Sequence, residues 1–124
     1  MPRNPRKILV SVDDLFFVAK IGDAARRAGM SVEFVKTPAE LIAKALAEPP
    51  ALVIVDMNTH SHAPLELIAQ LKAEPTLKHV SVIGFVQHVD GELKQQAHLA
   101  GADMVMARSA FSLNLPQILK RHAA

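Results

Sequence analysis

The 124-residue sequence has no cysteine, no tryptophan and no tyrosine, and only five glycines. Without cysteine there can be no disulfide scaffold, no thiolate zinc site and no thiol nucleophile, a composition that suits a reducing compartment. Long apolar runs are also missing: nowhere do about eighteen apolar residues follow one another, so no stretch reads as a membrane span. The amino terminus, Met1-Pro2-Arg3-Asn4-Pro5-Arg6-Lys7, is basic, but the apolar run behind it is short and soon reaches Asp13, unlike a secretory signal. There is little excess of either charge, 14 basic against 12 acidic residues for a formal charge of +2. The pI near 9.2 therefore reflects a small surplus and not a basic surface. Low-complexity tracts and internal repeats are absent. What is abundant is hydrophobic residues, 50% of the chain. At this length they can build one core without disulfides or a structural metal. The expectation is a cytoplasmic protein with a basic tail over residues 1–6 and a single domain over 7–122.

Ile8-Leu9-Val10-Ser11-Val12 reads as a strand apolar on both faces, as in the middle of a parallel sheet, and Asp13-Asp14 ends it. Phe17, Val18, Ile21, Ala24, Ala25 and Ala28 then recur at helical spacing up to Gly29, a left-handed cap position. Ser31–Lys36 alternates with period two as a more exposed strand. Thr37-Pro38-Ala39-Glu40 is a capping box with proline at the first helical position. Ala51-Leu52-Val53-Ile54-Val55 is a central strand running into Asp56. A polar stretch, Met57-Asn58-Thr59-His60-Ser61-His62-Ala63-Pro64, leads to a helix reaching about Ala73. Val80–Val86 is a fourth strand, Asp90–Ala100 a helix, and Asp103–Ala107 a fifth strand. In the final helix Pro116 is expected near the first turn, where its missing N–H costs little.

Five strands alternating with five helices imply an α/β three-layer sandwich with a parallel sheet covered on both faces. A flavodoxin-like strand order, 2-1-3-4-5, is the expected topology. Ligands of such sheets bind beyond the carboxyl ends of the strands, where Asp13, Asp14 and Asp56 fall. Carboxylates gathered there repel unless a cation sits between them or some of them turn into water. Magnesium suits such a set, with the backbone carbonyl of Asn58 as a further oxygen ligand. Helix capping by Asp13 or Asp14 is the competing use of the acid pair.

Lys7-Ile8-Leu9-Val10 with Asp13-Asp14, then Leu52-Val53-Ile54-Val55-Asp56, then Ala100-Gly101-Ala102-Asp103, resembles a response-regulator receiver domain of two-component signalling over nearly the whole chain. The resemblance implies that Asp56 stands at the phosphoacceptor position, with Asp13 and Asp14 nearest to the magnesium-binding acid pair. It implies a signalling module rather than an enzyme. Its partners would be a histidine kinase or a downstream effector, or a second copy meeting through helix four, strand five and helix five. Several positions depart from the family pattern. The hydroxyl position at the end of strand four is Val86, the aromatic switch position in strand five is Val105, and the lysine-proline pair is replaced by Arg108-Ser109. An ungapped alignment puts Val12 and Asp13, not two acids, at the acid pair.

Valine donates no hydrogen bond, and the planar fork of arginine does not place charge as an ammonium does. A modification that makes no differential contact shifts no population. The sequence thus reads as a degenerate pseudo-receiver acting through protein–protein contacts, with phosphorylation at Asp56 impaired or not read out in the usual way. A competent phosphoacceptor using Asp56 and magnesium is the first alternative. The second is a small cofactor-binding or enzymatic flavodoxin-like domain, which wants a glycine-rich phosphate loop that Ser11-Val12-Asp13-Asp14-Leu15 does not supply.

His60, His62 and His88 are candidates for a transition-metal or pH-sensitive rim, although their spacing is not that of a strong zinc motif. The basic ends, Arg3-Arg6-Lys7 and Lys120-Arg121-His122, lack neighbouring aromatic residues and read as solvated termini rather than a nucleic-acid surface. Phe16 and Phe17 are adjacent on a helix, so only one of them can face the core.

Overall fold

Five apolar runs form the strands β1 (Asn4–Ser11), β2 (Ser31–Phe34), β3 (Pro50–Asp56), β4 (Ser81–Val86) and β5 (Met104–Ala107). They alternate with the helices α1 (Leu15–Arg27), α2 (Pro38–Ala47), α3 (Pro64–Ala73), α4 (Gly91–Ala100) and α5 (Arg108–His122). The computed structural model describes residues 4–58, 63–88 and 91–122. All strand pairs are parallel and the order is β2-β1-β3-β4-β5. This is the flavodoxin-like order expected from the alternation of elements.

The sheet divides the core in two because successive side chains of a strand point to opposite faces. Leu9, Val53, Val55, Met57, Val82, Val86 and Val105 join Leu41 of α2, Leu67, Ile68 and Leu71 of α3, and Ala97 of α4. Ile8, Val10, Leu52, Ile54, Ile83 and Phe85 join Phe17, Ile21 and Ala25 of α1, and Phe111, Leu115 and Leu119 of α5. Every residue of β3 is buried, as expected for a strand covered on both faces, whereas edge strand β2 is half-exposed.

Local signals set most of the boundaries. The Glu40 N–H donates to Thr37 Oγ1 at 3.1 Å, and Glu40 Oε1 reaches back to the Lys36 N–H at 3.2 Å. Gly29 (φ 71°) closes α1 and Gly101 (φ 118°) closes α4, both in backbone regions that favour glycine.

Two expectations need correction. β1 begins at Asn4 and not at Ile8, with Asn4 paired to Pro50 beyond a register irregularity. Pro116 lies well inside α5 and not near its first turn, because the helix starts directly at the end of β5. Pro116 has no N–H to give the Ser112 carbonyl. Burial of Phe111, Leu115, Ile118 and Leu119 carries the helix past that gap.

Candidate functional site

The carboxyl ends of β1 and β3 are adjacent because the two strands pair in register, Ser11 against Val55. This brings the β1–α1 turn beside Asp56, and the residues there divide the work. Val12 is core. Asp13 is exposed. Asp14 is the N-cap of α1, its Oδ1 accepting from the Phe16 N–H at 2.8 Å. The other Asp14 oxygen, Oδ2, accepts from Nη2 of Arg108. Arg108 is the first residue of α5, so a clasp joins the β1–α1 turn to the β5–α5 junction across the carboxyl edge of the sheet. The two side chains are 36% and 31% exposed.

The Arg108 guanidinium lies over the ring of Phe17 at 4.6 Å, a cation–π distance. Phe17 is itself packed against Phe85 (centroids 4.8 Å) and Phe111 (6.1 Å), and Phe85 stacks on Phe111 at 4.6 Å. Three aromatic rings of the α1–α5 side thus form a floor under the arginine. Phe16 is the outward member of the pair, 64% exposed.

Asp56 is only 7% exposed. Its Oδ1 accepts from the Asn58 N–H at 2.9 Å, an Asx turn that fixes the carboxylate at the end of the strand. Burial pushes its pKa above the ordinary carboxylate value. The Asn58 N–H and the Arg108 guanidinium pull it back, and the charges of Asp13 and Asp14 add to the rise. Asp14 moves the opposite way, held below the ordinary value first by the Phe16 N–H and then by the Arg108 hydrogen bond. The positive field of Arg108 therefore reaches both acids.

Asn58 contributes more than a backbone carbonyl. Its side-chain Oδ1 accepts from the Gln87 N–H, tying the turn after β3 to the turn after β4. Between these strands Met57 packs over Gly84, where a Cβ would lie 2.9 Å from Met57 Cγ and Sδ. Glycine in the middle of β4 is thus the residue that lets Met57 turn inward beside Asp56.

The other singled-out positions divide plainly. Val86 (1% exposed) and Val105 (6%) both belong to the aliphatic core on the α2–α3–α4 side. Ser109 is exposed in the first turn of α5. His88 is exposed just after β4, while His60 and His62 lie outside the described residues. Asp103 is at the opposite edge of the sheet, where its carboxylate accepts from the Val82 N–H at 2.7 Å and from Lys72 Nζ at 3.3 Å.

Magnesium coordination by Asp13, Asp14 and Asp56 together does not fit this arrangement. Both oxygens of Asp14 accept hydrogen bonds, one of them from a cation, and among the described residues no three acids or histidines converge as a metal-binding group.

Sequence reasoning missed the Asp14–Arg108 clasp and the Phe17 floor. The available signal was topological: Asp14 and Arg108 both follow strands at the carboxyl edge, and Phe17 stands one helical turn after Asp14, on the face turned toward α5.

No protein-family model and no curated protein matches the sequence. Solved structures do. A response regulator from Hahella chejuensis matches with TM-score 0.84 at 19% identity, covering 94% of each chain. A response regulator, described as putative, from Chloroflexus aurantiacus J-10-fl matches with TM-score 0.83 at 19% identity, over 97% of this chain and 98% of that one. The Vibrio cholerae chemotaxis protein CheY4 matches with TM-score 0.82 at 21% identity, over 93% and 96%. The chain has the fold of response-regulator receiver domains.

Proposed function

We propose that this chain is a pseudo-receiver of two-component signalling, a domain that works through protein–protein contacts and in which phosphorylation at Asp56 is impaired or not read out in the usual way. The observation that carries this reading is the burial of Val86 and Val105 in the aliphatic core. A phosphoryl group on Asp56 would find no hydroxyl at Val86 to hold, and strand five offers no aromatic ring at Val105 to reorient. With no contact that differs between modified and unmodified states, there is nothing to shift the population of a second conformation.

The contact face we assign is the one made by α4, β5 and α5. Leu99 (80% exposed), Met104 (38%) and Leu113 (80%) place one large exposed apolar residue on each of these elements. Apolar residues exposed in this way suit a protein partner, either a kinase or effector of the signalling pathway or a second copy of the chain.

The test is incubation with magnesium and acetyl phosphate, followed by intact-mass measurement of the wild type and Asp56→Asn. The reading expects no stable Asp56-dependent phosphate adduct, or an adduct that leaves the α4–β5–α5 face unchanged. A robust adduct, lost in Asp56→Asn and accompanied by rearrangement of that face, identifies a competent phosphoacceptor instead.

A further inference from the structure

We propose that Arg108 is the resident cation of the acidic pocket: its guanidinium takes the charge-balancing place of a divalent metal, so that the pocket is held closed by the chain itself and is indifferent to magnesium. This rests on the pseudo-receiver reading and names how that state is built.

Three observations carry the inference. The first is occupancy of the acid pair. Asp14 Oδ1 accepts from the Phe16 N–H and Oδ2 from Arg108, so a metal drawing on Asp14 must share an oxygen with a helix cap or with a guanidinium. The second is preorganisation. Arg108 is held by its backbone as the first residue of α5 and by the Phe17 ring beneath its guanidinium, and Phe17 is fixed in turn by Phe85 and Phe111. A side chain pinned at both ends loses little further freedom in making the ion pair. The third is reach, since the charge of Arg108 lowers the pKa of Asp56 as well as that of Asp14, with which it is paired.

A divalent ion drawing on Asp56 would meet the positive charge that already acts on that carboxylate, and like charges repel strongly in a partly desolvated site. Magnesium also sheds its water reluctantly and needs near-ideal octahedral oxygen geometry, so two carboxylates under a neighbouring cation are a poor host. The clasp has a mechanical consequence too. It fastens the β1–α1 turn to the β5–α5 junction, and an anion seeking Arg108 must compete with Asp14 for it.

The experiment is a magnesium titration followed by amide chemical shifts in the wild type, in Arg108→Met, which keeps an apolar stem over Phe17, and in Arg108→Gln, which keeps a polar side chain. The wild type is expected to show no saturable shifts at Asp13, Asp14, Asp56 or Asn58 up to several millimolar magnesium. Both variants are expected to gain saturable shifts there, with affinity at least about tenfold above the wild type, because removing a like charge from the neighbourhood of a divalent ion changes its binding by that order or more. Saturable submillimolar binding by the wild type overturns the proposal, and that measurement needs no variant to fold. Variants that bind magnesium no better than the wild type overturn it as well. Failure here is distinguishable from failure of the pseudo-receiver reading. Magnesium binding without an Asp56 adduct removes only the role of Arg108, whereas an Asp56 adduct with rearrangement of the α4–β5–α5 face removes the wider reading whatever magnesium does.

Discussion

Replacing Phe17 by alanine should cost far more than replacing its neighbour Phe16, and the contrast measures how firmly the floor of the acidic pocket is built. Phe17 is 4% exposed and packs against the buried rings of Phe85 and Phe111, whereas Phe16 is 64% exposed and lies beside the Phe17 ring, centroids 5.3 Å apart, and Lys20 at 6.0 Å. Truncating a buried phenylalanine costs about 3–5 kcal/mol through lost transfer energy and the cavity left behind. A surface substitution of the Phe16 kind stays within about 0.5 kcal/mol. Phe17→Leu keeps much of the apolar volume but loses the ring contacts, and should fall between them at about 1–3 kcal/mol. For a domain of this length total stability is roughly 6–19 kcal/mol, so the Phe17→Ala loss is a large share of it. Urea unfolding is the assay, followed by far-UV circular dichroism because the chain has no tryptophan or tyrosine to report by fluorescence. Midpoints should order as Phe16→Ala near wild type, then Phe17→Leu, then Phe17→Ala, with similar slopes. Equal losses for Phe16→Ala and Phe17→Ala would refute the assignment of the buried ring.

The remaining predictions concern the acids and the close-packed glycines. The pKa of Asp56 is raised in the folded state, so the ionised group penalises folding, and stability falls as pH climbs from about the ordinary carboxylate value of 3.8 through the higher folded pKa. Asp56→Asn should therefore be more stable than wild type at neutral pH in thermal melts, with the advantage vanishing in acid; an unchanged difference between pH 3 and 7 contradicts it. Asp14 has the opposite sign, its contribution being present above 3.8 and lost as pH falls through its lowered folded pKa. Asp14→Ala should thus lower the melting temperature at neutral pH but little in acid, and Asp14→Asn, which still caps a helix, should lower it less. Gly84→Val drives a side chain into Met57 and should destabilise by about 1–3 kcal/mol in urea unfolding. Gly101→Ala combines a left-handed backbone with a Lys72 Cγ 2.5 Å from the new Cβ, and should cost more than about 1 kcal/mol.

Much of the fold was legible because its signals are local or periodic. Ile8-Leu9-Val10 and Leu52–Val55 read as strands buried on both faces because no polar residue interrupts them, and Thr37-Pro38-Ala39-Glu40 announced a helix start that the side chains build. Pro116 was misplaced because the absence of any linker between Ala107 and Arg108 leaves no sequence mark, and burial of the residues around it outweighs the lost hydrogen bond. At the site, Asp56 was legible as an acid at the end of an apolar strand, and Val86 and Val105 as missing polar and aromatic functions. Capping of α1 by Asp14 was one of the two uses read for the acid pair, whereas its ion pair with Arg108 was not legible. Arg108 is 94 residues away, just after a strand that is not a neighbour of β1, and the two meet because α1 and α5 pack together on one face of the sheet. The second role of Asn58, holding the Gln87 N–H, joins the turns after two neighbouring strands, a contact between side chain and backbone that leaves no local mark in the sequence.

The central claim is that occupation of Asp56 finds nothing to act on. Its most direct test is the amide spectrum of the wild type and of Asp56→Asn, each recorded before and after addition of magnesium with beryllofluoride as a phosphoryl mimic. The account predicts that resonances of α4, β5 and α5 in the wild type stay where they are. Shifts spreading across those three elements in the wild type and absent from Asp56→Asn would contradict it.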